Sequence, residues 1–223
     1  MTANLTLVPT PIGNLGDMSP RAVEVLREVD VVLAEDTRTT GNLLRHFGID
    51  TPLQSYHIHN EHKLTAGLVS RMQSGQRFAL CSDAGTPAIS DPGFLLVRAA
   101  IEAGLEVSCL PGPTAFVAAL AASGLPCDRF VYEGFLPHKK GRKTRIEAML
   151  SRSETTVLYE SPHRVVKLLE AMQAEGAGDR LLCLGREISK LHEEFSRGSV
   201  VEMLDMLTEK PPRGEYVVVV AGV

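Results

Sequence analysis

The chain has 223 residues, 23 basic and 27 acidic side chains, and a hydrophobic fraction of 44%, which is enough to bury a sizeable core. The net charge of −4 argues against a protein that coats nucleic acid with its whole surface, although a local basic patch remains compatible with it. No apolar run approaches the ~20 residues that span a bilayer, so we expect a soluble, cytoplasmic protein without membrane contact.

Apolar strands alternate with helical patterns through the first half of the chain. Strands are predicted at 5–8, 31–34, 78–81 and 107–110, and helices at 20–29, 37–47, 64–72 and 94–102. Ser19 and Pro20 open the first helix as a capping serine and a proline at the first helical position. The strands are continuous apolar runs, which is typical of a parallel sheet covered on both faces.

The second half of the chain has a different pattern. A helix near 114–122 precedes a stretch rich in glycine and proline that extends to Pro137. Beyond it, helices are predicted at 140–150, 163–172 and 201–207, and strands at 155–159, 181–184 and 216–220. We therefore predict an α/β protein made of two α/β domains, 1–113 and 114–223.

Three loops rich in Gly, Pro, Asp and Thr follow predicted strands, at 9–17, 82–93 and 110–115. In parallel α/β sheets, ligands bind just beyond the carboxyl ends of strands, so the three loops together predict a cleft for a small polar molecule. The residues alone do not identify that molecule. Each loop also has a simpler interpretation: a tight turn at 9–17, capping of the next helix by Asp91, and a helix cap at Thr114.

Residues 139–145 form a basic run with five cations in seven positions. Such a run is typical either of a solvated helix face or of a surface that contacts phosphates.

Eight ordered motifs carry a resemblance to a known family over essentially the whole chain. They are PTPIGNLGD at 9–17, AEDTR at 34–38, SDAGTPAISDPG at 82–93, LPGPT at 110–114, GFLP at 134–137, YESPHR at 159–164, GREISK at 185–190 and GEY at 214–216. With them the chain resembles the tetrapyrrole methylase superfamily, non-Rossmann methyltransferases with two α/β domains and the active cleft between them. The likeness is strongest to members that methylate the ribose 2′-oxygen of a cytidine in small-subunit (16S) ribosomal RNA. Longer members continue past the GEY segment into a small C-terminal domain, so the resemblance does not fix how RNA docks.

The resemblance implies S-adenosylmethionine as the cofactor. Carried over position by position, the family's donor site falls on residues of both predicted domains. They are Pro11, Ser82, Asp83, Ala84, Gly85, Thr86, Ile89, Pro111, Gly112, Thr114, Ala115, Glu160 and Gly214.

The acceptor hydroxyl is weakly acidic and gains from a general base. The resemblance places Glu35 and Asp36 in the cleft, with Glu35 as the base or hydroxyl-orienting group; helix capping remains an equal alternative for Asp36. Asn60 and Glu61 are predicted to line the acceptor site, with capping of the next helix as the alternative. The histidines beside them have no tight ligand spacing, and we expect no metal.

Ribosomal RNA of the small subunit, free or in the assembled particle, is the partner that the resemblance implies, and a homodimer is the usual state in the superfamily. The residues predicted to contact RNA phosphates are Arg38, Lys139, Lys140, Arg142, Lys143 and Arg164.

Two other functions are compatible with the sequence. Corrin and porphyrin members of the same fold methylate a tetrapyrrole carbon, and a nucleotide-sensing module would hold the ligand without reacting. The basic run and the 9–17 loop favour RNA over a tetrapyrrole, and the acidic residues at 35–36 argue weakly against a module without catalysis.

Overall fold

A computed structural model describes residues 3–223. The chain divides into two compact units, one that extends through Thr114 and one from Ala115 to Val223.

The first unit is built on a sheet of five parallel strands. They are β1 (Leu5–Leu7), β2 (Val31–Ala34), β3 (Leu53–Ser55), β4 (Phe78–Cys81) and β5 (Val107–Cys109). Their order across the sheet is β3-β2-β4-β1-β5, so chain neighbours are separated by crossovers. Because β2, β4, β1 and β5 lie side by side and run in one direction, the loops that follow them meet at one edge of the sheet.

Helices cover both faces of this sheet. They are α1 (Pro20–Glu28), α2 (Thr37–His46), α3 (Glu61–Gln73) and α4 (Phe94–Glu102). One core cluster contains buried residues of α1 and α2, and the other contains buried residues of α3 and α4. Strands buried on both faces explain why their sequences are continuous apolar runs. The Ser19 hydroxyl accepts a hydrogen bond from the Ala22 N–H at 3.1 Å, which caps α1 as predicted.

The second unit contains a mixed sheet with four helices. Its elements are α5 (Ala115–Ala122), β6 (Phe130–Phe135), α6 (Arg142–Leu150), β7 (Thr155–Glu160), α7 (Val165–Ala174), β8 (Leu181–Arg186), β9 (Glu194–Ser199), α8 (Val200–Glu209) and β10 (Tyr216–Val220). The strand order is β6-β7-β10-β8-β9. The pair β6–β7 is parallel and the other three pairs are antiparallel.

The prediction of an α/β protein is confirmed, and three of its strands, β3, β6 and β9, have no counterpart among the predicted ones. β3 has only three residues, all half-buried, and β6 has a glycine, a register shift and a single buried residue. Neither β3 nor β6 has the apolar run that marks the buried strands. Both lie at sheet edges, where a strand has a neighbouring strand on only one side. Among residues 3–223, none of the helices is both long and apolar enough to cross a membrane.

Candidate active site

The loops after β1 and β4 are joined by backbone hydrogen bonds. The Thr10 N–H donates to the Gly85 carbonyl at 2.9 Å, and the Gly85 N–H donates back to the Thr10 carbonyl at 3.0 Å. The buried Thr10 hydroxyl donates to the Ser82 carbonyl at 3.1 Å. This bridge places Pro11 beside the Ser82–Gly85 segment, so these predicted donor-binding residues come together at the sheet edge.

The loop after β5 closes on the same two loops. The Thr86 and Thr114 hydroxyls are 2.7 Å apart, and the Thr86 hydroxyl also lies 3.4 Å from the Pro113 carbonyl. A Cβ at Gly112 would lie 2.6 Å from Pro9 Cβ, so only glycine allows this approach of the β5 and β1 loops. Pro111 flanks that contact and is exposed. The three predicted ligand loops therefore form one continuous surface in the first unit.

The loop after β4 has an unusual backbone. Ala88 and Ser90 have φ values of 69° and 64°, a left-handed conformation that costs free energy for non-glycine residues. Ile89 between them is 42% exposed, and Ala84 at the start of the loop is exposed as well. Backbone strain of this kind is found preferentially at binding and catalytic sites.

Glu35 follows β2 and lies against the β4 loop. Its Oε2 accepts a hydrogen bond from the Asp83 N–H at 3.4 Å. Partial burial raises the pKa of Glu35, and the neighbouring carboxylates of Asp83 and Asp36 raise it further, while the Asp83 N–H and the charge of His57 act in the opposite direction. A carboxylate with a raised pKa is a better proton acceptor than an ordinary one.

Asp36 caps α2, which is the alternative that the sequence left open. Its Oδ1 accepts from the Arg38 N–H at 2.8 Å, and its Oδ2 lies 2.6 Å from Arg38 Nη2. Hydrogen bonds from the Arg38 side chain and backbone lower the pKa of Asp36 to about 2. A carboxylate with so low a pKa is a weak proton acceptor, which favours the capping alternative for Asp36. Arg38 is held by the same contact, although its side chain stays 89% exposed.

The sequence left Asp91 open between a ligand contact and a cap of the next helix. The interpretation of Asp91 as a helix cap is wrong, because α4 begins after Gly93 without a side-chain cap. Burial, followed by the charge of Glu35, raises the pKa of Asp91 to about 6; the charge of Asp83 adds to the rise, and a hydrogen bond with the Ser82 side chain opposes it. Asp91 is therefore a half-buried carboxyl that interacts electrostatically with Glu35. The signal for Asp91 in the sequence was its position after Ser90 in the 82–93 loop, which is longer than a connection between a strand and a helix needs.

Asn60 and Glu61 lie in the turn between β3 and α3. Asn60 Oδ1 accepts from the His57 N–H at 2.8 Å, and Asn60 Nδ2 donates to the Ser55 carbonyl at 3.3 Å. The Asn60 side chain therefore closes this turn and makes no capping bond to α3. Glu61 is the first residue of α3 and is half-buried. The turn lies at the same sheet edge as Glu35, because β3 and β2 are parallel neighbours.

Glu160 in the second unit is enclosed by arginines. Its carboxylate lies 2.9 Å from Arg142 Nη2 and 3.4 Å from Arg164 Nε, and it accepts from the Ser161 N–H at 2.9 Å. The side chain of Glu160 is 1% exposed, that of Arg142 15% and that of Arg164 19%. Arg164 also donates to the Leu136 carbonyl at 2.8 Å. These contacts stabilise the turn after β7. They also occupy Glu160, which was predicted to contact the cofactor, and Arg142 and Arg164, which were predicted to contact RNA.

Gly214 precedes β10 in a left-handed conformation with φ +74°. A Cβ there would lie 2.5 Å from Glu187 Cδ, so glycine is required. Glu187 itself accepts from the Glu215 N–H at 2.9 Å and pairs with Lys190 at 2.9 Å. The GREISK and GEY motifs are thus packed against each other inside the second unit.

Lys139 and Lys140 are exposed in the turn before α6. Lys143 on α6 is also exposed, and its ammonium lies 3.1 Å from Glu175 and 3.7 Å from Glu147. A few residues before this turn, Phe135 is 61% exposed at the end of β6, with its ring 5.3 Å from the Tyr159 ring. Exposed cations offer contacts to phosphates, and an exposed aromatic ring offers a face on which a base can stack.

Comparison with known proteins identifies the family. The profile of the Tetrapyrrole (Corrin/Porphyrin) Methylases matches residues 4–204, and the chain belongs to this family. It is 51% identical to Ribosomal RNA small subunit methyltransferase I of Synechocystis, with 98% of this chain and 78% of that protein covered. It is 49% identical to the protein of the same name from Pseudomonas aeruginosa, with 98% and 78% covered.

Solved structures show the same fold. The crystal structure of uroporphyrin-III-C-methyltransferase from Thermus thermophilus is similar with a TM-score of 0.64 and 25% identity, over 96% of this chain and 93% of that one. The methyltransferase CobJ is similar with a TM-score of 0.71 and 19% identity, over 99% and 94%. The prediction of a tetrapyrrole methylase fold from sequence motifs is confirmed.

Proposed function

We propose that this chain transfers the methyl group of S-adenosylmethionine to the 2′-oxygen of a cytidine ribose in small-subunit (16S) ribosomal RNA. Relatives named ribosomal RNA small subunit methyltransferase I, about half identical over nearly the whole chain, support this choice of acceptor. The observation that carries the proposal is the position of Glu35, whose carboxylate is bonded to the backbone of the β4 loop and has a raised pKa.

The joined loops of the first unit fit the methyl donor. Their exposed members, Asp83, Ala84, Ile89 and Pro111, lie on the surface that the joined loops form, where a ligand can contact them. The exposed carboxylate of Asp83 complements the positive charge of a sulfonium. The donor supplies an activated methyl group, so the protein has mainly to position it.

All the predicted donor-binding residues of the first unit remain in the proposed donor site. They are Pro11, Ser82, Asp83, Ala84, Gly85, Thr86, Ile89, Pro111, Gly112 and Thr114. Ala115 at the start of α5 and Gly214 before β10 remain proposed contacts of the second unit. Glu160 does not contact the donor in this proposal, because its carboxylate is paired with two arginines. It stabilises the turn after β7 instead.

Glu35 acts as the general base in this proposal. Its carboxylate accepts the proton of the ribose hydroxyl as the oxygen forms its bond to the methyl carbon. The pKa of Asp91 is also raised, in part by the charge of Glu35, and one proton shared between the two carboxyls would keep their charges from opposing each other. Asn60 and Glu61 are proposed to line the acceptor side, from the turn next to Glu35.

RNA binding is assigned to the exposed cations. Lys139, Lys140 and Lys143 contact phosphates, and Arg38 contacts a phosphate from the first turn of α2. Arg142 and Arg164 are set aside, since both guanidinium groups pair with Glu160. Charge reversal of the three lysines should cut RNA methylation about tenfold or more and leave donor affinity unchanged. Unchanged methylation of RNA by that variant would remove this surface from the proposal.

We further propose that the protein works in the cytoplasm as a homodimer, on free RNA or on the assembled particle. The proposal of a dimer rests on the family alone and is tested by sedimentation equilibrium.

The alternative is methylation of a tetrapyrrole carbon, which is favoured by the structural likeness to uroporphyrin-III-C-methyltransferase. The test is transfer of radiolabelled methyl from S-adenosylmethionine to three acceptors: naked 16S RNA, small-subunit particles and uroporphyrinogen III. Label in either RNA acceptor supports the proposal. Label in the tetrapyrrole alone establishes the alternative, and donor binding without any labelled acceptor indicates a binding module.

A further inference from the structure

Phe135 is a large apolar side chain held at the surface of the second unit. It is the last residue of β6 and is 61% exposed. Its ring lies 5.3 Å from the ring of Tyr159, and the two residues are register partners on the parallel strands β6 and β7. A single exposed ring is not unusual by itself. The backbone that places this ring is unusual.

The register of β6 shifts by one residue just before Phe135. Tyr132 pairs with Val157, and Gly134 pairs with Leu158, the next residue of β7. One residue of β6 is therefore left out of the pairing, which makes this a β-bulge. Gly134 has φ +63°, a conformation that glycine adopts at little cost.

The bulge decides on which face of the sheet Phe135 lies, because successive residues of a strand point to opposite faces. With the shift, Phe135 lies opposite Tyr159, on the face where Tyr159 contacts Phe116 of α5. Without the shift, Phe135 would lie opposite Glu160, on the face of Leu158 and the core that α6 and α7 cover. Bulges are frequent beside functional sites, where they redirect a side chain.

Three half-buried rings support Phe135 from within the second unit. The Tyr159 ring lies 5.7 Å from the Tyr132 ring and 6.5 Å from the Phe116 ring, and Phe116 stacks on Tyr132 with the ring centres 4.4 Å apart. Contacts between rings at such distances are attractive and fix ring orientation. Phe135 is the exposed member of this group, so it presents an oriented ring to solvent.

The segment after Phe135 is held in place and adds positive charge. Arg164 donates hydrogen bonds of 2.8 and 3.2 Å to the carbonyls of the next two residues. Lys139 and Lys140 follow, and both are exposed. Lys139 is four residues beyond Phe135, so the two Cα atoms lie within ~14 Å of each other. An oriented ring within that reach of two cations suits a single-stranded nucleic acid, whose bases stack and whose phosphates pair with ammonium groups.

We propose that the exposed face of the Phe135 ring stacks on a base of the acceptor RNA, while Lys139 and Lys140 contact phosphates of the same single strand. The inference deepens the proposed function and rests on it for the identity of the ligand. Stacking tolerates any base, because every base has a planar face. Phe135 therefore strengthens RNA binding and does not select the nucleotide that is methylated.

The first arm of the test uses tryptophan fluorescence, because the chain has no tryptophan of its own. Phe135→Trp keeps a ring at this position, and a base stacked on the indole quenches its emission. Phe130→Trp is the matched control, since Phe130 is an exposed residue at the other end of β6, ~16 Å away. Both proteins are titrated with oligocytidylate and with an abasic strand that has the same number of phosphates.

Oligocytidylate should quench the emission of Phe135→Trp and leave that of Phe130→Trp unchanged, and the abasic strand should quench neither. Equal quenching of the two proteins, quenching by the abasic strand, or no quenching of Phe135→Trp would refute the inference.

The second arm measures affinity and catalysis. Phe135→Leu keeps an apolar side chain and removes the ring, so the Kd for oligocytidylate should rise about tenfold while the Kd for the abasic strand stays within about twofold. kcat/KM for small-subunit particles should fall by a similar factor, and the Kd for S-adenosylmethionine should not change. Phe135→Tyr should restore wild-type values, and Phe130→Leu should retain them. Phe135→Tyr and Phe135→Trp keep a ring, so they decide the test if Phe135→Leu does not fold.

The outcomes separate this inference from the proposed function. Weaker donor binding by Phe135→Leu would show that the ring contacts the donor. A changed sedimentation equilibrium with unaltered RNA affinity would show that the ring contacts a second copy of the chain. Either result overturns the inference. RNA binding that depends on the Phe135 ring, without methyl transfer by wild type, would establish the stacking site and overturn the proposed function.

Discussion

Replacement of Asp91 by Asn should stabilise the protein at high pH and impair its activity. The pKa of Asp91 is raised from 3.8 to about 6 in the folded protein, mainly by burial and then by the charge of Glu35. Below pH 3.8 the carboxyl is protonated in both folded and unfolded chains, so its ionisation has no effect on stability. Above about pH 6 it is ionised in both, and the folded state bears the full cost of the buried charge.

The size of the effect follows from the shift. Two pKa units correspond to ~3 kcal/mol, and partial exposure of the carboxyl to water reduces this to ~1–2 kcal/mol. The Asp91→Asn variant removes the charge and keeps the hydrogen bond to Ser82 possible. It should therefore unfold with a free energy ~1–2 kcal/mol above wild type at pH 8, and the difference should shrink as the pH falls from 6 towards 4.

The assay is urea unfolding followed by circular dichroism from pH 4.5 to 8. Asp50→Asn serves as the control for loss of one charge, since Asp50 is exposed in the same unit. A stability difference that does not change with pH, or a variant less stable than wild type at pH 8, would refute the assignment of Asp91 to a strained carboxylate cluster. The proposed function has the two carboxyls share a proton, and on that proposal the same variant should also lose methyl transfer.

Three further substitutions test separate parts of the structure. Glu35→Gln should lower the rate of RNA methylation by ~10²–10⁴-fold with little change in donor affinity, measured by single-turnover kinetics and calorimetry; a rate within a few-fold of wild type would exclude Glu35 as the base. Glu160→Gln leaves two mostly buried arginines without their carboxylate, so it should cost ~3–5 kcal/mol, and a calorimetric melting temperature equal to wild type would contradict the ion-pair description. Gly93→Ala places a Cβ 2.8 Å from Leu80 Cδ2 at φ +142°, so it should lower the free energy of unfolding in urea by ~1–3 kcal/mol. Gly67→Ala is the control: it lies inside α3 with open space around it and should be neutral or stabilising. Equal effects of the two substitutions would show that the β4 loop is not strained.

The sequence predicts the fold well where strands are buried on both faces. The bounds of β2 and β4 and of α4 agree with the predicted 31–34, 78–81 and 94–102. β3, β6 and β9 were not predicted: each is an edge strand with a neighbouring strand on only one side, and none of them contains a run of buried residues. Edge strands need neighbours to define them, and a local pattern does not contain those neighbours.

The site is predicted only in part from the sequence. Loops at the ends of parallel strands are visible in it, and the structure brings the 9–17, 82–93 and 110–114 loops together. The partners of charged groups are not visible. Arg142 looked like part of a basic surface, yet it pairs with Glu160, which lies 18 positions later. Asp91 looked like a cap, yet α4 has no side-chain cap and the pKa of Asp91 is raised by burial and by the charge of Glu35.

The most direct test of the central claim is to map the methyl group on RNA treated with this protein and S-adenosylmethionine. Wild-type and Glu35→Gln proteins are incubated with small-subunit particles, and the RNA is digested to nucleosides for mass spectrometry. We predict 2′-O-methylcytidine from wild type and almost none from the variant. A methyl group on a base carbon or nitrogen, or equal yields from the two proteins, would contradict the account of Glu35 as the base for a ribose hydroxyl.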